Sequence, residues 1–112
     1  MKLPRGESAI VEDTKVRDYL LSSDHPIGRF KARVFRAAGY HPDSWQLLRD
    51  DLAELAGSLD ADLVLATPFG ERWIGRGVLP GPSGPLPVTT VWLIPSEGSA
   101  PRLITAYPAT DS

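Results

Sequence analysis

Residues 63–107 read LVLATPFGERWIGRGVLPGPSGPLPVTTVWLIPSEGSAPRLITAY, and their pattern sets the expected fold class. Four short segments are rich in β-branched and aromatic residues, which is typical of β-strands: LVLAT, ERWIGRGVL, VTTVWLI and RLITAY. Turns rich in Pro, Gly and Ser separate them, and strands joined by turns this short pair in an antiparallel manner. The stretch therefore predicts a four-stranded antiparallel meander.

The Pro- and Gly-rich residues 80–87 lie between the second and third predicted strands. We expect them to form a hairpin loop. A ligand for a proline-recognition domain is the alternative interpretation, although the segment lacks a PxxP motif within a disordered region.

The residues before the strands carry helical periodicity instead. Asp13 or Thr14 can cap a first helix, in which Val16, Tyr19 and Leu20 share one face. The sequence SSDHP then ends this helix, because Ser, Asp and a residue before proline all disfavour its continuation.

Two more helices are predicted before the first strand. One spans residues 27–38 and stops at Gly39, a residue that favours helix C-termini. The next begins at Asp43, whose spacing from Gln46 resembles a capping box. Its apolar residues form one stripe at about 100° per residue. They are Trp45, Leu48, Leu52, Leu55, Ala56 and Leu59.

Helices followed by strands predict an α+β domain, with three N-terminal helices packed on one face of a four-stranded meander sheet. The chain has 112 residues, a common size for one domain, so we expect a single domain over residues 1–112. Residues 1–12 are expected to be a loosely held lead-in, in which 9–11 can add a short edge strand. Residues 109–112 are expected to be a frayed tail.

The composition narrows the possible chemistry. There is no cysteine, and the two histidines lie in separate segments, so we expect neither a metal site nor a cofactor. The formal net charge of −2 argues against a general nucleic-acid binder. No apolar run reaches the roughly 20 residues that span a membrane, and the first residues lack the apolar core of a signal peptide. We therefore expect action in the cytoplasm, either directly or after delivery by a larger secreted carrier protein.

The second predicted helix carries the most informative residues. Projected on a helical wheel, Arg29, Arg33 and Arg36 cluster opposite an apolar arc, and Lys31 falls inside that arc. The Lys31 ammonium either reaches past the core to water or stabilises a phosphate over the sheet. The arginine cluster is either a solvated surface or a phosphate-facing stripe.

Two histidines are each followed by proline. His25 precedes the second helix, and because a free imidazole has a pKa near 6.5, a histidine at this position can act as a general acid or base around neutral pH. Packing in a turn is the alternative role for His25. We interpret His41, which has less basic surroundings, as structural.

The strands supply hydroxyl groups and further cations. In the last strand a period of two places Leu103, Thr105 and Tyr107 on one face and Arg102 on the other. In the third strand Thr90 and Trp92 share a face with Val88 and Ile94, and Arg72 and Arg76 of the second strand can add cations to the same sheet face. The hydroxyl groups either bind a phosphate oxygen or satisfy neighbouring polar groups. Cleavage of RNA without a metal needs a general acid and base together with cations near the phosphate, and the chain contains both.

The segment HPIGRFKARVFRAAGY, followed by VTTVWLI and PRLITAYP, resembles a known family. The recurring motifs are Tyr-Leu-Leu, His-Pro-x-Gly-x-x-Lys-Ala, Phe-x-x-x-Gly, Thr-Val-Trp and Thr-Ala-Tyr-Pro. They fall at residues 19–21, 25–32, 35–39, 90–92 and 105–108. The match covers about residues 3–108 and resembles an uncharacterised bacterial toxin-associated domain family, similar in layout to the barnase, EndoU, colicin and RelE group of ribonucleases.

The resemblance implies cleavage of RNA, with tRNA among the substrates, by attack of the 2′-hydroxyl and without a metal. It also implies a cognate immunity protein or antitoxin as partner. The expected catalytic residues are His25 as acid or base, Lys31 for the transition state, and Thr105 and Tyr107 for the phosphate. The expected substrate-binding residues are Arg29, Arg33, Arg72, Thr90, Trp92 and Arg102.

Two other functions compete with a ribonuclease. The first is a non-enzymatic interaction module of a toxin–antitoxin or toxin–immunity pair, which the acidic balance and the Pro-rich loop favour. The second is RNA binding without cleavage, in which the arginines matter and His25 is dispensable.

Overall fold

The computed structural model describes residues 1–21 and 29–109, and for residues 29–31 it describes the backbone alone. Helices precede strands, as predicted. The helical elements are α1 (Asp13–Lys15), a π-helical turn (Val16–Leu20), α2 (Arg29–Ala37) and α3 (Trp45–Ala56), with 3-10 turns at Gly6–Ser8 and Pro42–Ser44. The strands are β1 (Asp60–Thr67), β2 (Gly70–Leu79), β3 (Leu86–Pro95) and β4 (Arg102–Pro108).

The four strands form one open antiparallel sheet in the order β1-β2-β3-β4. The predicted α+β class and the predicted meander are therefore confirmed. The Pro- and Gly-rich loop connects β2 and β3, as expected, and it docks on the end of α2, where the Ser83 amide donates to the Ala38 carbonyl over 2.9 Å. This bond satisfies one of the carbonyls that a helix leaves unpaired at its C-terminus.

The first predicted helix is present but changes type after one turn. From Val16 the backbone follows a π-helix, and the Leu21 amide donates to the Val16 carbonyl over 3.0 Å. Val16, Leu20 and Leu21 are all fully buried in this arrangement. The wider turn lets two consecutive leucines, Leu20 and Leu21, both reach the core.

The second helix ends as predicted. Gly39 has a φ of 103°, a left-handed conformation that only glycine adopts readily, and its amide donates to the Arg36 carbonyl over 2.9 Å. Phe35 is fully buried, and α2 contacts β4. The predicted start of this helix at residues 27 and 28 lies outside the described residues.

The third helix carries the predicted stripe, but the predicted capping box is wrong. Leu48, Leu52, Ala56 and Leu59 are buried. Asp43 lies in the 3-10 turn that begins with Pro42, so the helix starts after Ser44, and no side chain caps it. The fixed φ of proline favours the 3-10 turn at this point and shifts the helix start past Asp43.

The helices do not form the single layer on the sheet that we expected. α3 packs on β2, and α2 contacts β4, whereas the π-helical turn after α1 packs mainly on the other two helices. Close packing of α3, and of Leu59 in the connection that follows it, depends on two glycines of β2. A Cβ atom on Gly75 would lie 2.5 Å from Leu59 Cδ1, and one on Gly77 would lie 2.7 Å from Leu55 Cδ1.

The expectation of a loosely held lead-in is wrong. Lys2 forms an antiparallel bridge with Asp60 of β1, and Ile10 forms a parallel bridge with Arg102 of β4. Leu3 and Val11 are buried beside these bridges. Residues 1–11 therefore hold both outer strands of the sheet. The Ile10 bridge agrees with the short edge strand expected at residues 9–11, whereas the Lys2 bridge was not expected, because a single bridge carries no sequence periodicity.

In the part of the chain that the structure describes, no helix has the length and apolar character needed to cross a membrane. Of the predicted tail, Ala109 is described: its amide donates to the Pro87 carbonyl over 2.9 Å. Residues 110–112 lie outside the described residues.

Candidate functional site

The sheet has two faces with different surroundings. Its core face lies against the helices and carries buried side chains, including Trp73, Val88, Trp92 and Leu103. The other side, which we call the outer face, carries the alternate residues of each strand. From β2 to β4 these are Arg72, Ile74, Arg76, Val78, Thr89, Val91, Leu93, Arg102, Thr105 and Tyr107.

A β-bulge in β4 changes which residues share a face. Leu103 pairs with Trp92 and Thr105 pairs with Val91, so Ile104 is an extra residue without a partner in β3. Thr105 and Tyr107 consequently share the outer face with Arg102, while Leu103 faces the core. The predicted grouping of Leu103 with Thr105 and Tyr107 is wrong, because one inserted residue reverses the alternation beyond it.

The outer face brings four of the predicted site residues together. Strand pairing places Arg72, Leu93 and Arg102 side by side in one row across β2, β3 and β4. A second row, two residues away, runs from Ile74 to Val91 to Thr105, and a third runs from Arg76 to Thr89 to Tyr107. Because adjacent strands lie about 4.8 Å apart, neighbouring side chains in one row can contact the same ligand.

The arginines of this face differ in their partners. The Arg76 guanidinium lies 3.5 Å from the Asp62 carboxylate, and that of Arg102 lies 3.2 Å from Glu12. Both pairs are more than half exposed, and such pairs are weak and open to exchange. Arg72 is exposed and has no ion pair or hydrogen bond within the described residues. The face therefore offers three cations around an apolar centre of Ile74 and Val91.

Thr90 and Trp92, which we expected to bind substrate, belong to the core instead. Both are 0% exposed. The Trp92 indole nitrogen donates to the Thr90 hydroxyl over 2.7 Å, and this hydroxyl donates to the Gly75 carbonyl over 2.9 Å. A ligand cannot reach either side chain in this arrangement. Their period-two spacing, which suggested a shared binding face, reflects a shared face in the core.

The α2 residues are only partly described. Arg33 is exposed, whereas Arg36 is half-buried and donates to the Leu21 carbonyl over 2.9 Å. Arg36 thus connects α2 to the preceding helical segment rather than lying in a solvated stripe. His25 lies outside the described residues, as do the side chains of Arg29 and Lys31. His41 is exposed just before the 3-10 turn.

A hollow of about 390 Å³ lies where the first helical segment approaches β4, and the sequence did not predict it. We call it the β4 hollow. Its lining consists of Glu12, Thr14, Lys15, Tyr19, Leu93, Arg102, Leu103 and Ile104. The Lys15 ammonium lies 5.4 Å from the centre of the Tyr19 ring, a cation–π contact. Leu93 and Arg102 also belong to the outer face, so the hollow continues that face at one end.

Among residues 1–21 and 29–109, no group of three or more His, Asp or Glu side chains is arranged to hold a metal ion.

Comparison with known proteins gives one match. The family model described as "Domain of unknown function (DUF6883)" matches residues 2–110. No curated protein and no solved structure matches the chain.

Proposed function

This chain belongs to the DUF6883 family, and we propose that it binds RNA on the outer face of its sheet and cleaves it without a metal. The observation that carries the proposal is the position of Arg72, Arg102, Thr105 and Tyr107. The sequence suggested each of them separately as a phosphate or substrate ligand, and all four lie on one accessible surface of three strands.

The chemistry of this face suits a single-stranded nucleic acid. Arginine guanidinium groups bind phosphate oxygens with paired hydrogen bonds. The apolar strip of Ile74, Val91 and Leu93 and the ring of Tyr107 offer surfaces for bases, which stack without regard to sequence. An acidic chain can bind RNA in this way because binding depends on the local field, and Arg72, Arg76 and Arg102 lie together on this face.

Cleavage additionally needs a proton acceptor and a proton donor. In our proposal, a general base takes the proton of the 2′-hydroxyl as its oxygen bonds to phosphorus. The bond from phosphorus to the 5′-oxygen then breaks, and a general acid protonates that oxygen, leaving a 2′,3′-cyclic phosphate. His25 fills one of these roles, and Lys31 with Arg29 stabilises the charge on the phosphorus oxygens. α2, whose sequence carries Lys31, contacts β4 from the core side, whereas Thr105 and Tyr107 lie on the outer face, so the proposal requires the RNA to pass around the β4 edge of the sheet.

The wider biological setting is part of the same proposal. Helices followed by an antiparallel meander are similar in layout to the barnase, EndoU, colicin and RelE group. We propose that the domain acts on RNA, including tRNA, in the bacterial cytoplasm as a toxin, and that an immunity protein or antitoxin neutralises it. A fold alone does not establish an activity, so the test must follow RNA itself.

The test compares four purified proteins on total bacterial RNA and on tRNA. They are the unchanged chain, His25→Ala, Lys31→Ala and Arg72→Gln. We expect the unchanged chain to cut RNA to products with cyclic phosphate ends, His25→Ala and Lys31→Ala to bind RNA without cutting it, and Arg72→Gln to bind more weakly. Intact RNA with the unchanged protein would refute cleavage, and absence of binding would refute the proposal as a whole.

The exposed edge of β1 favours the interaction module as a second candidate function. Leu63, Val64 and Leu65 are 45%, 53% and 51% exposed, and Phe69 in the following turn is 86% exposed. Beyond Ala61 the outer edge of β1 has no strand partner among the described residues. An apolar edge strand of this kind is a template for a strand of another protein.

In this second function, a partner protein adds a strand to β1, and the domain itself cuts nothing. Co-expression with the neighbouring gene product should then give a stable complex that Val64→Lys disrupts and Val78→Lys does not, since Val78 is equally exposed but lies on β2. Expression alone should leave growth unchanged. A complex that survives Val64→Lys would exclude this edge as the interface.

A further inference from the structure

We infer that the β4 hollow is a base-binding subsite that prefers guanine to uracil in RNA. The inference rests on the proposed function, because it extends the outer face by one nucleotide. It goes beyond that proposal by assigning base selectivity to residues that were not predicted to belong to the site, chiefly Glu12, Lys15 and Tyr19.

The hollow and the outer face share a boundary. Arg102 and Leu93 line the hollow and also form part of the row that begins at Arg72. A strand of RNA whose phosphates follow this row therefore reaches the hollow with its next nucleotide. The volume of about 390 Å³ lies within the range of ligand sites, which is roughly 300–1,000 Å³.

The bulge in β4 builds the floor of this site. Ile104 is the extra residue of the bulge and lines the hollow, while Arg102, two residues earlier, stays on the outer face. Bulges of this kind redirect side chains and are common beside functional sites. Leu93, Leu103 and Ile104 supply apolar surface against which a planar base can pack.

The polar groups of the hollow include both hydrogen-bond acceptors and hydrogen-bond donors. The Glu12 carboxylate can only accept hydrogen bonds, whereas Lys15 and Arg102 can only donate them. Guanine fits both kinds of group, because it has neighbouring N–H donors at N1 and N2 and acceptors at O6 and N7. Uracil offers a single N–H donor and has no amino group. The lining therefore favours guanine over uracil, and the Tyr19 ring, held by Lys15, adds a surface for stacking.

In the absence of RNA, Glu12 and Arg102 neutralise each other across 3.2 Å. This pair is about half exposed, so a ligand can separate it at little cost. We expect the carboxylate to turn to the base and the guanidinium to turn to the adjoining phosphate. The ion pair thus keeps both groups at the mouth of the hollow until a nucleotide enters.

The experiment measures binding of labelled eight-nucleotide RNAs by fluorescence anisotropy, with 2′-O-methyl groups to prevent cleavage. One RNA is all uridine, and the other has a single central guanosine. We expect the unchanged chain to bind the guanosine RNA about tenfold more tightly, the discrimination typical of one bidentate base contact. Glu12→Gln should remove the preference. Thr14→Trp, which fills the hollow from an exposed position, should also remove it.

The matched control is Glu7→Gln, which removes the same charge from the exposed turn at Gly6–Ser8 and should leave the preference unchanged. A preference that survives both Glu12→Gln and Thr14→Trp, or no preference in the unchanged chain, would overturn the subsite. If both RNAs bind equally and Arg72→Gln weakens both, the subsite is wrong and RNA binding on the outer face stands. If neither RNA binds, the proposed function itself is wrong.

Discussion

The indole nitrogen of Trp92 donates to the hydroxyl of Thr90 over 2.7 Å inside the core of the protein. The same hydroxyl donates to the Gly75 carbonyl of the neighbouring strand over 2.9 Å. The Thr90 hydroxyl thus provides the hydrogen-bond partner of two buried groups, the Trp92 indole N–H and the Gly75 carbonyl. Buried polar groups are stabilising when all of them are paired and costly when one is left unpaired.

We therefore expect Thr90→Val to lower the free energy of unfolding by about 1–3 kcal/mol, because the Trp92 N–H loses its acceptor in the core. Urea denaturation followed by Trp fluorescence measures this change. Thr89→Val on the outer face is the matched control and should alter stability by no more than about 0.5 kcal/mol. Loss of RNA binding in a Thr90→Val protein of unchanged stability would instead support a direct role in the substrate site.

Tyr40 should contribute stability that disappears at alkaline pH. Its hydroxyl donates to the Asp51 carboxylate over 2.7 Å and accepts from the Gly81 amide over 3.1 Å. Burial, and then the bond to Asp51, raise the pKa of Tyr40 above its ordinary value of 10.0. The native state therefore keeps a proton that the unfolded chain loses above that pH. Stability from this source is complete below pH 10.0 and falls as the pH rises further.

The measurement compares urea midpoints near neutral pH with midpoints above pH 10 for the unchanged chain and for Tyr40→Phe. We expect Tyr40→Phe to lose about 1–2 kcal/mol near neutral pH, since both hydrogen bonds vanish, and to show a smaller further loss at alkaline pH. Tyr107→Phe, at an exposed tyrosine, serves as the control. Equal alkaline losses in the unchanged chain and in Tyr40→Phe would contradict a protective role of this proton.

Gly75→Ala should destabilise the contact between the sheet and Leu59, a buried residue in the connection between α3 and β1. The new methyl group would lie 2.5 Å from Leu59 Cδ1, so α3 or the Leu59 side chain must move, at a cost of about 1–3 kcal/mol. Gly57→Ala is the matched control, because its nearest contact would be an ordinary 3.5 Å and its φ of −76° suits alanine. Thermal unfolding should show a lower midpoint for the first variant and an unchanged or slightly higher one for the second.

Arg72 and Arg102 should both contribute to the salt dependence of RNA binding. Each of Arg72→Gln and Arg102→Gln removes one phosphate contact, so each should reduce the slope of log affinity against log salt by about 0.7 for a single strand. Arg17→Gln removes an equal charge from the π-helical turn, away from the sheet, and should leave the slope unchanged. Identical slopes in all four proteins would mean that RNA does not lie across the Arg72 to Arg102 row.

Much of the fold could be predicted because it depends on local patterns. Alternation in β2 and β3 gave their bounds, and the apolar stripe of α3 predicted its buried residues. The bulge at Ile104 could not be predicted, because no proline, glycine or change of composition marks it. The bridge of Lys2 to β1 was also missed, since it is a single pair between distant parts of the chain, whereas the bridge of Ile10 lies in the short edge strand expected at residues 9–11.

The candidate site was predicted only where it depends on local sequence patterns. Arg72 and Arg102 are strand residues with polar side chains among apolar neighbours, so alternation alone marks them as surface positions. Thr90 and Trp92 were misassigned because a hydrogen-bonded threonine in a core has the same sequence pattern as a threonine that binds a ligand. Glu12 and Lys15 were missed because the hollow forms only when the first helical segment meets β4.

The segment at residues 1–11 holds β1 through Lys2 and β4 through Ile10, although these strands are the first and last of an open meander. In a meander alone, each strand pairs only with its neighbours, so one outer strand can detach without affecting the other. Because residues 1–11 contact both outer strands, we expect release of one of these strands to weaken the hold on the other, so that opening at β1 also loosens β4, which lines the hollow. A substitution that speeds hydrogen exchange of the β1 amides should therefore also speed exchange of the β4 amides.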